Sequence, residues 1–391
     1  MHDETTIVHS GLHPERHEGA VNPPVFHAST ILSESVEEFR RKRKNWLLDQ
    51  SGTYYGRFGT PTTEALQEAI AMLEGGHRTL LYPSGLAACA GALLAFLSSG
   101  DHVLMSDSVY GPTRNFATEF LGRFGVSTSF FDPLAGSSIA SLIRPETRVV
   151  YLESPGSLTF EMQDTPAIAE VARRRGITVI ADNTWATPLY FKPLAHGVDV
   201  SIQAATKYIV GHSDAMLGTV TCTKNAWKKL KGSTYELGQT AGPDDVYLGQ
   251  RGLRTLAVRL KQHWATGLAL AEWIARQPEV ERVLHPALPG DPGHALWKRD
   301  FTGASGLFGV VLKEGITDRA LCAMIDGLEL YGIGSSWGGF ESLIVPFDPR
   351  EARTATRWTH KGPCFRIHAG LEHVDDLIAD LDAGFRRLRD A

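Results

Sequence analysis

Lys207 is the residue whose surroundings most suggest chemistry. It lies in segment 199–213 (DVSIQAATKYIVGHS), where a strand-like apolar run ends and a glycine and small polar residues follow. In open α/β sheets, ligands bind beyond the carboxyl ends of the strands. A lysine that is desolvated at such a position favours its neutral, nucleophilic amine. On this stretch alone, a nucleophilic lysine and a solvated loop lysine are equally good interpretations.

Asp182 ends another apolar run, 177–182 (ITVIAD), and is therefore expected at the end of a buried strand. An unpaired buried charge is costly, so this carboxylate needs a partner. A protonated pyridine nitrogen would be one, because the ion pair keeps the ring cationic and makes it a better electron sink. A structural N-cap or a salt bridge is the alternative interpretation.

Segment 82–88 (YPSGLAA) combines the end of a strand, a Ser-Gly turn and the start of an Ala-rich helix. Backbone N–H groups at such a helix start can approach a phosphate. Thr206, next to the lysine, could add a hydroxyl donor. An ordinary capped helix would give the same pattern.

Two other segments carry residues that suit a flat, anionic ligand. Segment 54–62 (YYGRFGTPT) offers a phenol and the guanidinium of Arg57, which together could hold an anion. Tyr110 follows a predicted strand and could stack on a planar ring. A surface arginine and a half-buried loop tyrosine are the commoner interpretations of each residue taken alone.

Short apolar runs alternate with helical patterns through the middle of the chain, which predicts an α/β fold with a mostly parallel sheet covered by helices. The predicted strands are 79–82, 102–105, 148–153, 177–182, 198–203 and 217–221. A helix is expected at 166–175.

After about residue 250 the pattern becomes α+β. It predicts helices at 253–276, 318–328 and 374–389 and strands at 306–312 and 365–368. The first residues show little periodicity. We therefore expect an extended arm at 1–55, a large ligand-binding domain at 56–250 and a smaller domain at 251–391.

The bulk composition limits the classes of function. The chain has 391 residues and a formal net charge of −5, which gives no electrostatic footprint for nucleic acid. Its polar N-terminus predicts no secretory signal, and no apolar run approaches the ~20 residues of a membrane span. The four cysteines form no CxxC pair and there is no HExxH, so we expect a cytoplasmic protein without a metal site.

With these residues in place, the chain resembles the Cys/Met-metabolism family of pyridoxal-phosphate enzymes, of fold type I. Segment 199–213 resembles that family's cofactor-lysine signature. Supporting matches run over nearly the whole chain: LESPGS (152–157), DNTW (182–185), GHSD (211–214), RGLRTL (251–256), RDFTG (299–303) and SWGG (336–339). The resemblance implies pyridoxal 5'-phosphate as the cofactor. It also implies a large domain with a mostly parallel seven-stranded sheet and a smaller α+β C-terminal domain.

The resemblance also implies roles around the cofactor ring. Lys207 would carry the cofactor covalently and would later take the Cα proton of the substrate. Asp182 would face the pyridine nitrogen. Tyr110 would stack on the ring and would count with Lys207 among the catalytic residues.

The implied phosphate site is shared between chains. Gly85, Leu86 and Thr206 would hold the phosphate within one subunit. Tyr55 and Arg57 would reach it from a neighbouring subunit. A dimer would then be the smallest active unit, and the expected assembly is a homotetramer built as a dimer of dimers.

The implied substrate is a small amino-acid thioether. Arg366, in the apolar segment 364–368 (CFRIH), would bind its carboxylate, since an arginine inside an apolar strand needs an anionic partner. A structural salt bridge is the alternative. Ser336 and Trp337 would lie nearby, with Tyr55 from the neighbouring subunit. The implied reaction is β-elimination, which would convert cystathionine to homocysteine, pyruvate and ammonia.

The chain departs from its family at two positions. γ-Acting members carry Glu-Ser-Leu-Gly-Gly where this chain has segment 335–339 (SSWGG), so the missing Glu and the Trp favour β-elimination. Well-known β-acting members carry Tyr where this chain has Ser335, which predicts acceptance of a broader range of cysteine S-conjugates. Ala204 stands where many relatives have a phosphate-binding serine, so the phosphate would rely more on Thr206 and Arg57.

Other functions stay open at this stage. A γ-lyase or a γ-synthase-type transferase could use the same scaffold, and a cofactor-binding regulator without turnover is also compatible. Segment 334–338 (GSSWG) matches the GxSxG pattern of serine hydrolases, but it precedes a predicted turn and strand instead of a helix. The glycines at 332 and 334 begin a dinucleotide fingerprint that fails at Trp337.

Overall fold

Two separate β-sheets organise the computed structural model, which describes residues 1–49 and 52–391. The first sheet contains β1 (Arg78–Tyr82), β2 (His102–Ser106), β3 (Ser127–Phe131), β4 (Thr147–Glu153), β5 (Thr178–Asp182), β6 (Val200–Gln203) and β7 (Gly218–Cys222). The second sheet contains β8 (Val280–Leu284), β9 (Leu307–Leu312), β10 (Leu343–Phe347) and β11 (Cys364–His368).

The strand order of the first sheet is β1-β7-β6-β5-β4-β2-β3. Only β7 runs against its neighbours, and the pairs formed by β2 to β6 are parallel. The prediction of a mostly parallel seven-stranded sheet is therefore confirmed. Because parallel strands end at one edge, the segments that follow β1, β2, β4, β5 and β6 meet there. The second sheet is antiparallel, in the order β10-β11-β9-β8.

Helices cover both sheets. They are α1 (Asp3–His9), α2 (Val36–Leu47), α3 (Pro61–Glu74), α4 (Gly85–Phe96), α5 (Gly111–Asn115), α6 (Thr165–Arg173), α7 (Thr187–Tyr190), α8 (Lys224–Glu236), α9 (Pro243–Leu253), α10 (Leu256–Ile274), α11 (His294–Asp300), α12 (Asp318–Asp326) and α13 (Val374–Asp390). No helix in the described ranges has the length and hydropathy needed to cross a membrane.

The apolar strands explain the layered core. Every residue of β2 and β7 is buried, as expected for strands covered on both faces. Helices α4 and α8 pack on one face of the first sheet, and α6 packs on the other. Helix α10 contributes to two cores, one shared with α3 and α9 and one shared with the second sheet, α12 and α13. This long helix thus connects the two sheets through buried side chains.

All six strands predicted for the first sheet are present, and their ends differ by one or two residues. β3 was not predicted because it is an edge strand in which only Phe131 is buried. The helix predicted at 253–276 is α10, which begins three residues after and ends two residues before the predicted bounds, and α9 ends at Leu253 just before it. The domain boundaries at residues 55 and 250 stay predictions.

The N-terminal segment corrects one expectation. It was predicted to be extended, yet α1 and the 12-residue helix α2 lie within it. Helix α2 begins at an N-cap serine, Ser35, whose hydroxyl accepts a hydrogen bond from the Glu38 N–H. None of its residues is buried. Its apolar residues Val36, Phe39, Trp46 and Leu47 have helical spacing among many charged residues, so the sequence carried a signal for this helix that the prediction of an extended arm missed.

Candidate active site

A cavity of about 600 Å³ lies at the carboxyl edge of the first sheet, between that edge and β10 and β11. Its lining includes most of the residues predicted from the sequence: Gly85, Leu86, Tyr110, Asp182, Thr206, Lys207, Ser336, Trp337 and Arg366. Strand ends and loops far apart in sequence are therefore brought to one place, as the parallel sheet requires.

Lys207 follows β6 by four residues and points its amine into this cavity. The Nζ atom donates a hydrogen bond to Ser336 Oγ at 2.5 Å and lies 5.3 Å from the centre of the Trp337 ring. Burial, and then the positive charge of Arg366, lower the pKa of Lys207 to about 8. An amine with this pKa is partly neutral near pH 7, which a nucleophile or a proton acceptor requires.

Asp182 is the last residue of β5, and it is 8% exposed. Its Oδ1 accepts hydrogen bonds from Thr184 Oγ1 at 2.5 Å and Thr184 N at 3.0 Å. The thiol of Cys89 lies 3.7 Å from Oδ2. Burial raises the pKa of Asp182, although the Thr184 donors oppose this shift. Among the described residues no cationic side chain forms an ion pair with it, so the carboxyl suits a protonated ring nitrogen.

The start of helix α4 forms one wall of the cavity. The Ser84 hydroxyl caps it by accepting a hydrogen bond from Ala87 N at 3.1 Å. A side chain at Gly85 would place its Cβ 2.5 Å from the Cβ of Ala204, so glycine and alanine permit this close approach. The backbone N–H groups of Gly85 and Leu86 can then serve an anion at the helix N-terminus.

Thr206 lines the same wall, but its hydroxyl is already engaged. The Oγ1 atom donates to Leu217 O at 3.1 Å and accepts from Leu217 N at 2.8 Å. The hydroxyl proton must leave this carbonyl before Thr206 can donate to a phosphate. The predicted role of Thr206 therefore requires a reorientation of its hydrogen.

Tyr55 and Arg57 do not line the cavity in the same chain. Arg57 donates from Nη1 to Tyr235 O at 2.8 Å, and its guanidinium lies over the Phe58 ring. The Tyr55 hydroxyl is 3.5 Å from Ser29 Oγ. Any contact of these two residues with the ligand of this cavity has to come from another copy of the chain, so their predicted role stays a prediction.

Arg366 lies on β11 and faces the cavity, opposite Val345 of β10. Its Nη2 donates to the carbonyl of Ser336 at 3.1 Å. Burial lowers its pKa. Among the side chains that the structure describes, no carboxylate pairs with this guanidinium, so the structural salt bridge considered from the sequence is not observed there. An anionic ligand would supply the missing partner.

Residues 335–339 form a turn, here called the SSWGG turn, that lies against Lys207. Ser336 has a positive φ of 85° and Gly338 a φ of 86°. A Cβ at Gly338 would lie 2.9 Å from the backbone of Lys207, so only glycine allows this contact. Ser335 lines the cavity, as does Trp337. The turn leads into β10, which agrees with the turn and strand predicted there.

Glu153 is a cavity residue that the sequence reasoning missed. It ends β4 and is paired with Asp182 across the sheet. Its Oε2 accepts a hydrogen bond from the backbone N–H of Tyr110 at 2.6 Å. Burial and the nearby Asp182 raise its pKa well above the ordinary value. The signal was present, because an acid at the end of an apolar run is the same pattern that identified Asp182.

The cavity therefore fits pyridoxal phosphate. It offers a partly neutral lysine amine, a buried carboxyl without a cation, backbone donors at a helix start and an arginine without an anion. These groups match the carbonyl carbon, ring nitrogen and phosphate of the cofactor and the carboxylate of an amino acid. The described part of the chain has no group of three potential metal ligands in position to hold an ion.

Comparison with known proteins agrees with this chemistry. The family described as "Cys/Met metabolism PLP-dependent enzyme" matches residues 4–386. "Cystathionine beta-lyase MetC" of Escherichia coli is 46% identical over 390 residues, 98% of each chain. A "Putative cystathionine beta-lyase" of Rhizobium johnstonii is 47% identical over 384 residues, 97% of this chain and 95% of the relative.

A third relative carries a different name. The "L-alanine/L-glutamate racemase" of Wolbachia pipientis is 40% identical over 399 residues, 99% of this chain and 98% of the relative. The three relatives share nearly the full length of the chain, and the family match extends across both sheets. The chain thus belongs to the Cys/Met metabolism family of pyridoxal-phosphate-dependent enzymes.

Proposed function

We propose that this protein is a carbon–sulfur lyase that cleaves cystathionine by β-elimination and releases homocysteine, pyruvate and ammonia. The observation that carries the proposal is that Lys207 and Arg366 both contact the SSWGG turn at Ser336. Ser336 contacts the lysine amine through its hydroxyl and the arginine through its carbonyl. A carboxylate held by Arg366 would therefore lie beside the amine of Lys207.

The residues of this chain have separate roles in the reaction. Arg366 binds the substrate carboxylate and fixes the direction of the bond from Cα to its hydrogen. Lys207 takes the Cα proton at Nζ, and Ser336 Oγ, 2.5 Å away, orients that amine. The bound cofactor supplies an electron sink for the pair left at Cα. Asp182 keeps the ring nitrogen protonated.

Trp337 and Ser335 favour β-elimination over the γ-reactions considered from the sequence. Neither residue offers a carboxyl at the cavity wall, which γ-acting members supply with a glutamate at the position of Ser335. The relatives from Escherichia coli and Rhizobium johnstonii are named for β-elimination on cystathionine. A racemase is the second candidate, favoured by the name of the Wolbachia relative and by the same proton acceptor at Lys207.

The proposed active assembly is a homotetramer in which Tyr55 and Arg57 of one subunit complete the phosphate and substrate site of another. Their position outside the cavity of their own chain supports this arrangement. A cytoplasmic location is also proposed. It is supported by the cysteines, which are all free thiols in the described structure, as expected in a reducing compartment.

The decisive experiment is to incubate the purified holoenzyme with cystathionine and identify the products. Pyruvate with homocysteine is the expected result. 2-Oxobutyrate with cysteine would assign a γ-lyase instead, and conversion of L-alanine to D-alanine without pyruvate from cystathionine would assign a racemase. Lys207→Ala is the matched control, because it should abolish product formation in each case.

A further inference from the structure

His368 contacts the backbone of the SSWGG turn and does not line the cavity. It ends β11 two residues after Arg366, so both side chains project from the same face of the strand. Its ring is 1% exposed. The Nε2 atom lies 3.1 Å from the backbone N of Gly338 and 3.2 Å from the carbonyl of Gly339. The Nε2 atom therefore contacts backbone groups of two consecutive residues of the turn and forms one of the two hydrogen bonds at a time, depending on the tautomer.

The turn needs support from outside because its backbone is strained. Ser336 is not glycine but has a φ of 85°. Such conformations persist only where the surrounding structure over-determines them. The turn touches Lys207 through the Ser336 hydroxyl and the close approach of Gly338. Arg366 and His368 of β11 also hydrogen-bond to its backbone, at Ser336 and at the two glycines.

The imidazole of His368 is kept neutral. Burial is the main cause, and the groups that face it add to the effect: His263 of α10, Arg366 of β11 and Lys207 after β6. Together they hold the pKa of His368 well below its ordinary value. With its proton on Nδ1, the neutral ring accepts a hydrogen bond from the N–H of Gly338 at Nε2; with its proton on Nε2, it donates to the carbonyl of Gly339, so either tautomer bonds the turn. The ring does not line the cavity, so it is not a proton carrier for the substrate.

We propose that His368 is a positioning residue that fixes the SSWGG turn and thereby sets the place of Ser336 against both Lys207 and Arg366. One hydrogen bond between His368 and the turn, outside the cavity, then controls the contacts of Ser336 with Lys207 and Arg366 inside it. The proposal deepens the proposed function and rests on Lys207 as the cofactor lysine, but not on the identity of the substrate. It also explains why Arg366 and a histidine share one face of β11.

The test uses the holoenzyme and three variants. His368→Leu removes the acceptor, whereas His368→Gln places an amide that can accept from Gly338 and donate to Gly339. His102→Leu is the matched control, because His102 is an equally buried imidazole that bonds Thr147 Oγ1 and begins β2, at the edge of the sheet opposite the cavity. The readouts are the pH midpoint of the absorption band of the bound cofactor, and kcat and KM for cystathionine.

We expect His368→Leu to move the spectral midpoint by about half a pH unit or more and to lower kcat/KM about tenfold, as loss of one positioning hydrogen bond would. His368→Gln should stay close to wild type in both readouts, and His102→Leu should leave the midpoint in place. A wild-type midpoint in His368→Leu, or an equal shift in His102→Leu, would overturn the proposal.

Two further arms keep the test decisive. If His368→Leu does not yield a folded holoenzyme, His368→Asn replaces it, since its amide is too short to reach Gly338; a wild-type midpoint in that variant also contradicts the proposal. The spectral measurement needs no substrate. Absence of pyruvate release by the wild type would therefore refute the proposed function alone, and the spectral comparison would still decide the role of His368.

Discussion

At the scale of single residues, burial acts in opposite directions on the two groups expected to hold the cofactor. It lowers the pKa of Lys207 and raises that of Asp182, so each group tends towards its neutral form. For the lysine, neutrality is useful because the free amine is the reactive species. For the aspartate, the cationic ring of the cofactor supplies the partner that makes its negative charge favourable.

The lowered pKa of Lys207 predicts how the cofactor-free protein recovers its cofactor. The rate of pyridoxal-phosphate attachment should rise with pH to a plateau, with a midpoint near 8 and not near the ~10.4 of an ordinary lysine. Stopped-flow absorbance would measure this rate. The rate of the same reaction with N-acetyl-lysine, measured over the same pH range, is the reference that corrects for the titration of the cofactor itself. Arg366→Leu should move the midpoint upwards, because the arginine is the second cause of the shift; a midpoint at the ordinary lysine value would contradict the assignment.

Ser335 predicts the range of substrates. Replacing it by tyrosine fills part of the cavity wall and adds a phenol, so Ser335→Tyr should narrow the set of cysteine S-conjugates that release pyruvate while keeping cystathionine. The comparison is the ratio of kcat/KM for a bulky conjugate to that for cystathionine, in the wild type and the variant. Ser335→Ala is the size control and should keep the wide range. An unchanged ratio in Ser335→Tyr would show that this position does not select substrates.

The sequence was informative for residues that end buried strands and less so for residues placed by tertiary contacts. Lys207 and Asp182 could be found because an ionisable residue after an apolar run is unusual. Glu153 carried the same signal without being chosen. His368 could not be assigned from its segment, because its function depends on a turn 30 residues earlier in the chain.

At the scale of elements, the loop after β2 is tied to the connection between β10 and β11. The Asp107 carboxylate, whose side chain is fully buried, accepts hydrogen bonds from the N–H groups of Thr354, Ala355 and Thr356. It also forms an ion pair with Arg114 at 3.1 Å. This loop leads to Tyr110, and the connection leads to Arg366. The interactions of Asp107 therefore help to hold the wall that carries Tyr110 at a fixed distance from the wall that carries Arg366.

Asp107→Asn should weaken the interactions between the loop after β2 and the connection between β10 and β11. Removing one charge of a buried ion pair leaves the other uncompensated, so we expect a loss of about 3 kcal/mol in the free energy of unfolding. The donors around Asp107 lower its pKa, so its carboxylate stabilises the fold above pH ~4, and this advantage over the variant is lost as pH falls through the lowered pKa.

Chemical denaturation between pH 3 and 7 would measure the effect of Asp107→Asn. Asp382→Asn is the control, because its ion pair with Arg386 is exposed and should contribute less than about 1 kcal/mol. Equal losses of unfolding free energy in the two variants would mean that the buried interactions of Asp107 contribute no more than an exposed ion pair does.

Strands that are covered on both faces were predicted from the sequence, whereas the edge strand β3 and the exposed helix α2 were not. Val36, Phe39 and Leu47 of this helix remain exposed in the single chain. The covered strands of the first sheet can be identified in the sequence as apolar runs, because both of their faces are buried. The apolar side chains of α2 have helical spacing but stand among many charged residues, so the sequence indicates the helix without indicating what covers it.

At the scale of the whole molecule, the proposed site is incomplete in one chain. Tyr55 and Arg57 are absent from the cavity, and Thr206 has its hydroxyl engaged with Leu217, so one subunit offers few side-chain donors to a phosphate. Ala204 supplies none. A site that is completed by a second copy of the chain would show this shortage of phosphate donors. The shared site leads to a prediction that a site formed within one chain does not make.

Lys207→Ala and Arg57→Ala should each inactivate the homo-oligomer, because each removes a group that every site needs. In a mixed pair, however, one site combines an intact Lys207 from one subunit with an intact Arg57 from the other, and the second site lacks both. Random mixing of the two variants after dissociation should therefore restore about a quarter of wild-type pyruvate release, since half of the pairs are mixed and each has one intact site. Mixing each variant with itself is the control and should restore nothing. If the mixture also stays inactive while mixed oligomers are demonstrated by affinity tags of two kinds, Arg57 acts within its own chain and the shared site is wrong.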